Sequence, residues 1–87
     1  MNNITPAEVN EVVTQVIVDK LSDWNETADE SVMDESIAQL QLDSLDSLEI
    51  THELERRLHV QADTTVIATF GTLREYVPYF QSLLGAA

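Results

Sequence analysis

The chain contains no cysteine, only four basic residues, and no apolar run long enough to span a membrane. Each absence closes a class of protein. Without thiols there are no disulfides and no thiolate zinc sites, so cohesion has to come from packed secondary structure. A bilayer-spanning helix needs about 20 consecutive apolar residues, and Met1-Asn2-Asn3-Ile4 lacks the basic and apolar stretches of a secretory signal. A soluble, cytoplasmic protein is expected. At 87 residues the chain makes one domain. A domain of that size buries roughly 60% of the surface its unfolded form exposes, which leaves little room for a deep catalytic cleft. His52 and His59 have no His-Glu-x-x-His pattern around them, so no catalytic residues and no metal ligands are assigned.

What the chain has in abundance is acid. Sixteen acidic residues against four basic ones give a net charge of −12, which repels nucleic acid and anionic membranes and favours protein partners with basic patches. The charge is uneven, because ten of the acids fall between Asp19 and Glu49, where Lys20 is the one base.

Periodicity predicts an all-α fold. Thr5-Pro6-Ala7-Glu8 combines a capping residue, a proline suited to the first helical position and a capping-box glutamate. Val9, Val12, Val13, Val16, Ile17 and Leu21 then follow at helical spacing, so a first helix is expected over about 5–22. From 23 to 36 the pattern lapses into a long acidic loop with Trp24, Val32 and Met33 as isolated apolar anchors, and Ile37 and Leu40 make a short turn. A second helix is expected over about 44–58. The segment 60–70, rich in threonine and β-branched residues, reads as either a short helix or an extended crossover. A last helix over about 72–84 carries Leu73, Tyr76, Val77 and Phe80 on one face, with Thr72 able to cap it. Pro78 lies inside that pattern and is expected to kink or end the helix near Val77.

The second helix opens on a doubled tripeptide, Asp43-Ser44-Leu45 and Asp46-Ser47-Leu48. A serine in the first turn of a helix meets unpaired backbone N–H groups and the positive end of the helix dipole, where a phosphate ester is favoured. Rotation by about 100° per residue puts Ile50, Leu54 and Leu58 on one inward stripe with Ser47 and Thr51 beside it. Leu45 and Leu48 fall off that stripe, on the side of Glu49, His52, Glu53 and Arg56. Apolar residues mixed with acids beside a modifiable serine suit a protein-docking surface.

The run Leu40-Gln41-Leu42-Asp43-Ser44-Leu45-Asp46-Ser47-Leu48-Glu49-Ile50 resembles the attachment motif of acyl carrier proteins, in which a serine bears phosphopantetheine. Aligned on Ser44, the chain supplies Leu40, Asp43, Leu45, Glu49 and Ile50 at the motif positions. Aligned on Ser47, the outer positions become Asp43, His52 and Glu53, and the pattern fails. The resemblance covers nearly the whole chain, and it implies a small four-helix bundle, three helices long and one short, with a long loop after the first.

The resemblance further implies that Ser44 carries phosphopantetheine, covalently attached from coenzyme A by a phosphopantetheinyl transferase, with Asp43 orienting the loop. Leu45, Asp46, Leu48, Glu49 and Glu53 would form the docking face for acyltransferase, ketosynthase or other synthase enzymes with basic patches. A monomer that carries acyl groups as thioesters, and is itself no enzyme, is the expectation. The absence of a Gly-Gly element before the serine favours acyl over peptidyl cargo. The departures at Gln41, where glycine is usual, and at Val60-Gln61-Ala62-Asp63, where Ile-Pro is frequent, favour a polyketide or related natural-product pathway over fatty-acid synthesis.

Two readings of other classes compete. Asp23, Asn25, Thr27, Asp29, Ser31 and Asp34 occupy the ligand places of a calcium-binding EF-hand loop, although Ala28 stands where the turn needs glycine and Asp34 where a bidentate glutamate belongs. An acidic helical adaptor without a prosthetic group is the other.

Overall fold

The computed structural model describes residues 4–24 and 29–85, and its elements are helices joined by turns. Helix α1 spans Pro6–Trp24. Its start is the expected capping box: the Glu8 N–H donates to Thr5 Oγ1 at 3.1 Å, and the Thr5 N–H donates to Glu8 Oε1 at 3.2 Å. The buried face is Val9, Val13, Val16, Ile17 and Leu21, while Val12 is half-buried at the edge. Valine is a modest helix former, so this helix depends on what it packs against. Its partners are α2 (Ser44–Leu58) on one side and α4 (Tyr76–Leu83) on the other.

From Asp29 onward the segment after α1 is more ordered than a plain loop. A 3₁₀ turn, Glu30–Asp34, begins at Asp29, whose carboxylate accepts from the Ser31 N–H at 2.9 Å, and it buries Val32 and Met33. Trp24, by contrast, is 41% exposed. Asn25 and Thr27 of the calcium-loop pattern lie outside the described residues. Of its other members, Asp29 is used as a cap, and Asp34 accepts both Nε and Nη2 of Arg74, at 2.5 and 3.1 Å.

The segment from 60 to 70 resolves into the short helix α3, Thr64–Ile67, capped by Asp63. The Asp63 N–H donates to the Tyr79 hydroxyl at 2.7 Å, which ties α3 to α4. Phe70, Tyr76, Tyr79 and Phe80 form a continuous aromatic cluster with ring centroids 5.2–6.4 Å apart.

The last helical segment begins as a 3₁₀ turn, Leu73–Glu75, and becomes α4 at Tyr76. Pro78 does not end it, and the helix continues to Leu83. The change of winding at Tyr76 places Pro78 in the first turn of α4, where a backbone N–H has no intrahelical partner to lose. The buried face is the expected one, Leu73, Tyr76, Val77 and Phe80.

The result is a small all-α bundle of three longer helices and one short one. Ile50 and Leu54 of α2 are fully buried in its core, and each such side chain contributes about 1.5–3 kcal/mol by leaving water.

Candidate functional site

Everything about the site follows from how the chain enters α2. Residues 36–42 form a turn closed by two reversed hydrogen bonds, Gln41 N–H to Ala38 O at 3.1 Å and Leu42 N–H to Ile37 O at 3.3 Å. That pair is the Schellman pattern, which needs a left-handed residue where Gln41 stands. Gln41 adopts it, with φ of 58°. The backbone thus keeps the conformation for which glycine is suited, although the side chain is glutamine. The turn is pinned from outside by the Ile37 N–H, which donates to Gly71 O at 2.8 Å, and by the isolated bridge between Ser36 and Thr72.

Asp43 is the N-cap of α2. Its Oδ1 accepts from the Asp46 N–H at 2.9 Å, and Asp46 Oδ2 accepts from the Asp43 N–H at 3.2 Å, a reciprocal capping box. Replacing such a cap typically costs about 1 kcal/mol. Both carboxylates are turned back onto the backbone, and the first-turn N–H groups of Ser44 and Leu45 have no partner within the helix. Ser44 is exposed at this end and Leu45 is 62% exposed, whereas Ser47 is half-buried one turn further in.

Ser44 stands on the rim of a cleft of about 520 Å³ between α2, α3 and the 36–42 turn. One wall is Leu45, Ser47, Leu48 and Thr51 of α2, and the facing wall is Thr64, Ile67, Ala68 and Phe70. Ile37 and Leu42 complete the apolar lining. The second wall was invisible to residue patterns, whose one trace of it was the cluster of threonines and β-branched residues in that segment. Leu48, expected on the outer face with Leu45, is half-buried and belongs to the cleft.

Behind the α2 wall lies a polar seam, formed where Ser47 and Thr51, expected beside the inward stripe, meet Tyr76 of α4. Thr51 is buried, and its hydroxyl donates to Ser47 O at 2.8 Å. Tyr76, fully buried, turns its hydroxyl toward Thr51 and Ser47 but completes no hydrogen bond among the described residues. Burial pushes its phenol above the ordinary range, partly offset by the Thr51 and Ser47 hydroxyls. A buried polar group left in this state costs about 1–3 kcal/mol.

The acids on α2 separate into two kinds. Glu53 is only 18% exposed and accepts from Arg56 Nη2 at 2.5 Å and Arg57 Nε at 2.8 Å, and these guanidinium groups lower its pKa, Arg57 foremost. Glu49 is exposed and enters no ion pair among the described residues. The charge available to a partner beside Ser44 is therefore carried chiefly by Glu49, while Glu53 is largely answered within its own helix.

The site residues read from the motif thus come together at one end of the bundle: Asp43 as cap, Ser44 at the rim, Leu45 outward, Leu48 inward, and Asp46 locked in the capping box. An exposed hydroxyl beside a mostly apolar cleft is a fitting point for an ester-linked flexible arm. A family model described as "Phosphopantetheine attachment site" matches residues 15–80, which runs from within α1 to Phe80. No curated protein and no solved structure matches the chain.

Proposed function

The chain belongs to the phosphopantetheine-attachment family, and on that premise we propose that Ser44 is the attachment residue of an acyl carrier serving a polyketide or related natural-product pathway. Members of this family carry phosphopantetheine covalently and are carriers rather than catalysts. The observation that supports Ser44 is its exposed place in the first turn of α2, behind the Asp43 cap and on the rim of the cleft, while Ser47 is half-buried in the cleft wall. A transferase could reach the first hydroxyl without displacing the second turn of the helix.

In the attachment step Ser44 Oγ bonds to the phosphorus of coenzyme A that bears the pantetheine, the nucleotide part leaves with the bridging oxygen, and the hydroxyl proton passes to the transferase or solvent. The attached group then supplies a terminal thiol for holding acyl chains as thioesters. The chain's own residues have other tasks. Asp43 and Asp46 fix the first turn so that Ser44 is presented in one geometry. Leu45 offers an apolar contact outward, and Glu49 offers a charge that steers basic surfaces of acyltransferases, ketosynthases and the transferase itself. Leu48 helps line the shelter beside the arm. Among the described residues no helix is long and apolar enough to cross a membrane, and a monomer working in the cytoplasm is the setting we assign.

The test is the mass of the protein after incubation with coenzyme A and a phosphopantetheinyl transferase. Wild type and Ser47→Ala gain the mass of the arm, and Ser44→Ala does not. Persistent labelling of Ser44→Ala overturns the assignment.

A further inference from the structure

Glu75 stands in the 3₁₀ turn before α4, and its carboxylate is engaged by backbone N–H groups. Its Oε2 accepts the Thr72 N–H at 2.8 Å and the Gly71 N–H at 2.5 Å, two successive amides converging on one oxygen. The Thr72 N–H belongs to the same planar unit as the Gly71 carbonyl, and a trans peptide points the two in opposite directions. Gly71 O, at the far end of that unit, accepts the Ile37 N–H at 2.8 Å. Ile37 in turn receives the Leu42 N–H on its own carbonyl at 3.3 Å, which closes the 36–42 turn. Leu42 leads directly into Asp43, which fixes the first turn of α2 by accepting the Asp46 N–H on its side chain and the Ser47 N–H on its carbonyl.

Resting on the reading of Ser44 as the attachment residue, we propose that Glu75 is a positioning residue for the transfer onto that serine. It holds the Gly71–Thr72 peptide in the plane that anchors Ile37, and so sets where Ser44 is presented. The turn needs an anchor from outside, because Gln41 sits in the left-handed region with φ of 58°, and its Cβ favours leaving it. The backbone ties that supply one both fall on the peptide Glu75 holds: the Ile37 bond to Gly71 O and the bridge between Ser36 and Thr72. A full negative charge at the N–H end of a peptide also draws electron density onto its carbonyl oxygen, so Glu75 strengthens the bond to Ile37 as well as orienting it. The neighbouring pair of Arg74 with Asp34 joins the same two stretches of chain, but its side chains are 52% and 69% exposed and it contributes little. Breaking that pair leaves the peptide plane in place, which makes it the control.

Glu75 is exposed, so Glu75→Gln leaves the core intact and keeps the length of the side chain while removing its charge. Hydrogen-exchange protection of the Ile37 amide in the unloaded protein should fall by about threefold to tenfold, the difference between a charged and a neutral acceptor, with the helical circular dichroism unchanged. Single-turnover transfer from coenzyme A, with a phosphopantetheinyl transferase in excess, then separates docking from chemistry. The maximal rate of Glu75→Gln should fall by about twofold or more while the half-saturating transferase concentration stays at the wild-type value, since the partner still docks and the serine is misplaced. Arg74→Gln should keep both the Ile37 protection and the rate. Unchanged Ile37 protection in Glu75→Gln, an undiminished maximal rate, a loss carried by the half-saturating concentration instead, or an equal loss in Arg74→Gln overturns the positioning role and leaves attachment at Ser44 standing. A wild-type protein that gains no mass, or a Ser44→Ala protein that gains it, overturns the attachment reading beneath.

Discussion

Replacing Gln41 by glycine should make this protein more stable, although it deletes a side chain. Gln41 is exposed, so little packing is lost, and its backbone N–H bond to Ala38 O is independent of the side chain. Its φ of 58° lies in the left-handed region, where an L-residue with a Cβ is disfavoured by about 1–2 kcal/mol. Glycine relieves that cost but adds freedom to the unfolded chain, an opposing effect of about 0.4–1 kcal/mol. The net gain is about 0.5–1 kcal/mol, which for a domain of this size raises Tm by about 2–8 °C. Urea unfolding followed by far-ultraviolet circular dichroism is the assay, and the midpoint should rise with no change in slope. A control, Gln41→Val, should lower the midpoint, because a β-branched residue tolerates this region worst. A glycine variant of equal or lower stability would refute the claim that the turn before Ser44 stores strain.

Leu54→Ala, at a fully buried site of α2, should cost about 2–5 kcal/mol in urea unfolding, and a loss under 1 kcal/mol would contradict the burial. Glu49→Lys should slow association with a basic partner enzyme at low salt, lose that effect at high salt, and leave the helical circular dichroism spectrum unchanged. Glu53→Lys should instead disturb α2 itself by setting a third cation beside Arg56 and Arg57. Glu75 has its pKa lowered by the backbone N–H groups of Thr72 and Gly71. A lowered native pKa means stability that is present above the unfolded carboxylate value and lost as pH falls through the native one. Wild type should therefore lose more of its urea midpoint between about pH 5 and pH 3 than Glu75→Gln does, a comparison in which the relief of the −12 overall charge cancels. Equal losses would remove Glu75 from the account.

Much of the fold could be read from residue pattern because helices declare themselves locally. The valine stripe of α1, the Ile50-Leu54-Leu58 stripe of α2 and the Leu73-Tyr76-Val77-Phe80 face all turned inward as their spacing required. Thr5 and Glu8 formed their capping box because both partners lie within one turn. Pro78 does not bring the helix to an early end, for a reason of the same kind. Its effect depends on where the helical winding begins, and the 3₁₀ start at Leu73–Glu75 moved it into a first turn.

Residue spacing alone carried the all-α character, the order of the helices and the motif on which Ser44 is proposed, since each is local along the chain. What surrounds that serine was settled by packing between distant segments. The facing wall of the cleft comes from a segment about twenty residues downstream, whose short helix α3 is held by Asp63 and by the Tyr79 hydroxyl of α4. The roles of Leu48, of the answered Glu53 and of the buried Tyr76 hydroxyl depend on neighbours that no local periodicity specifies. Helical phase says which way a side chain points; only the packed bundle says what it meets there.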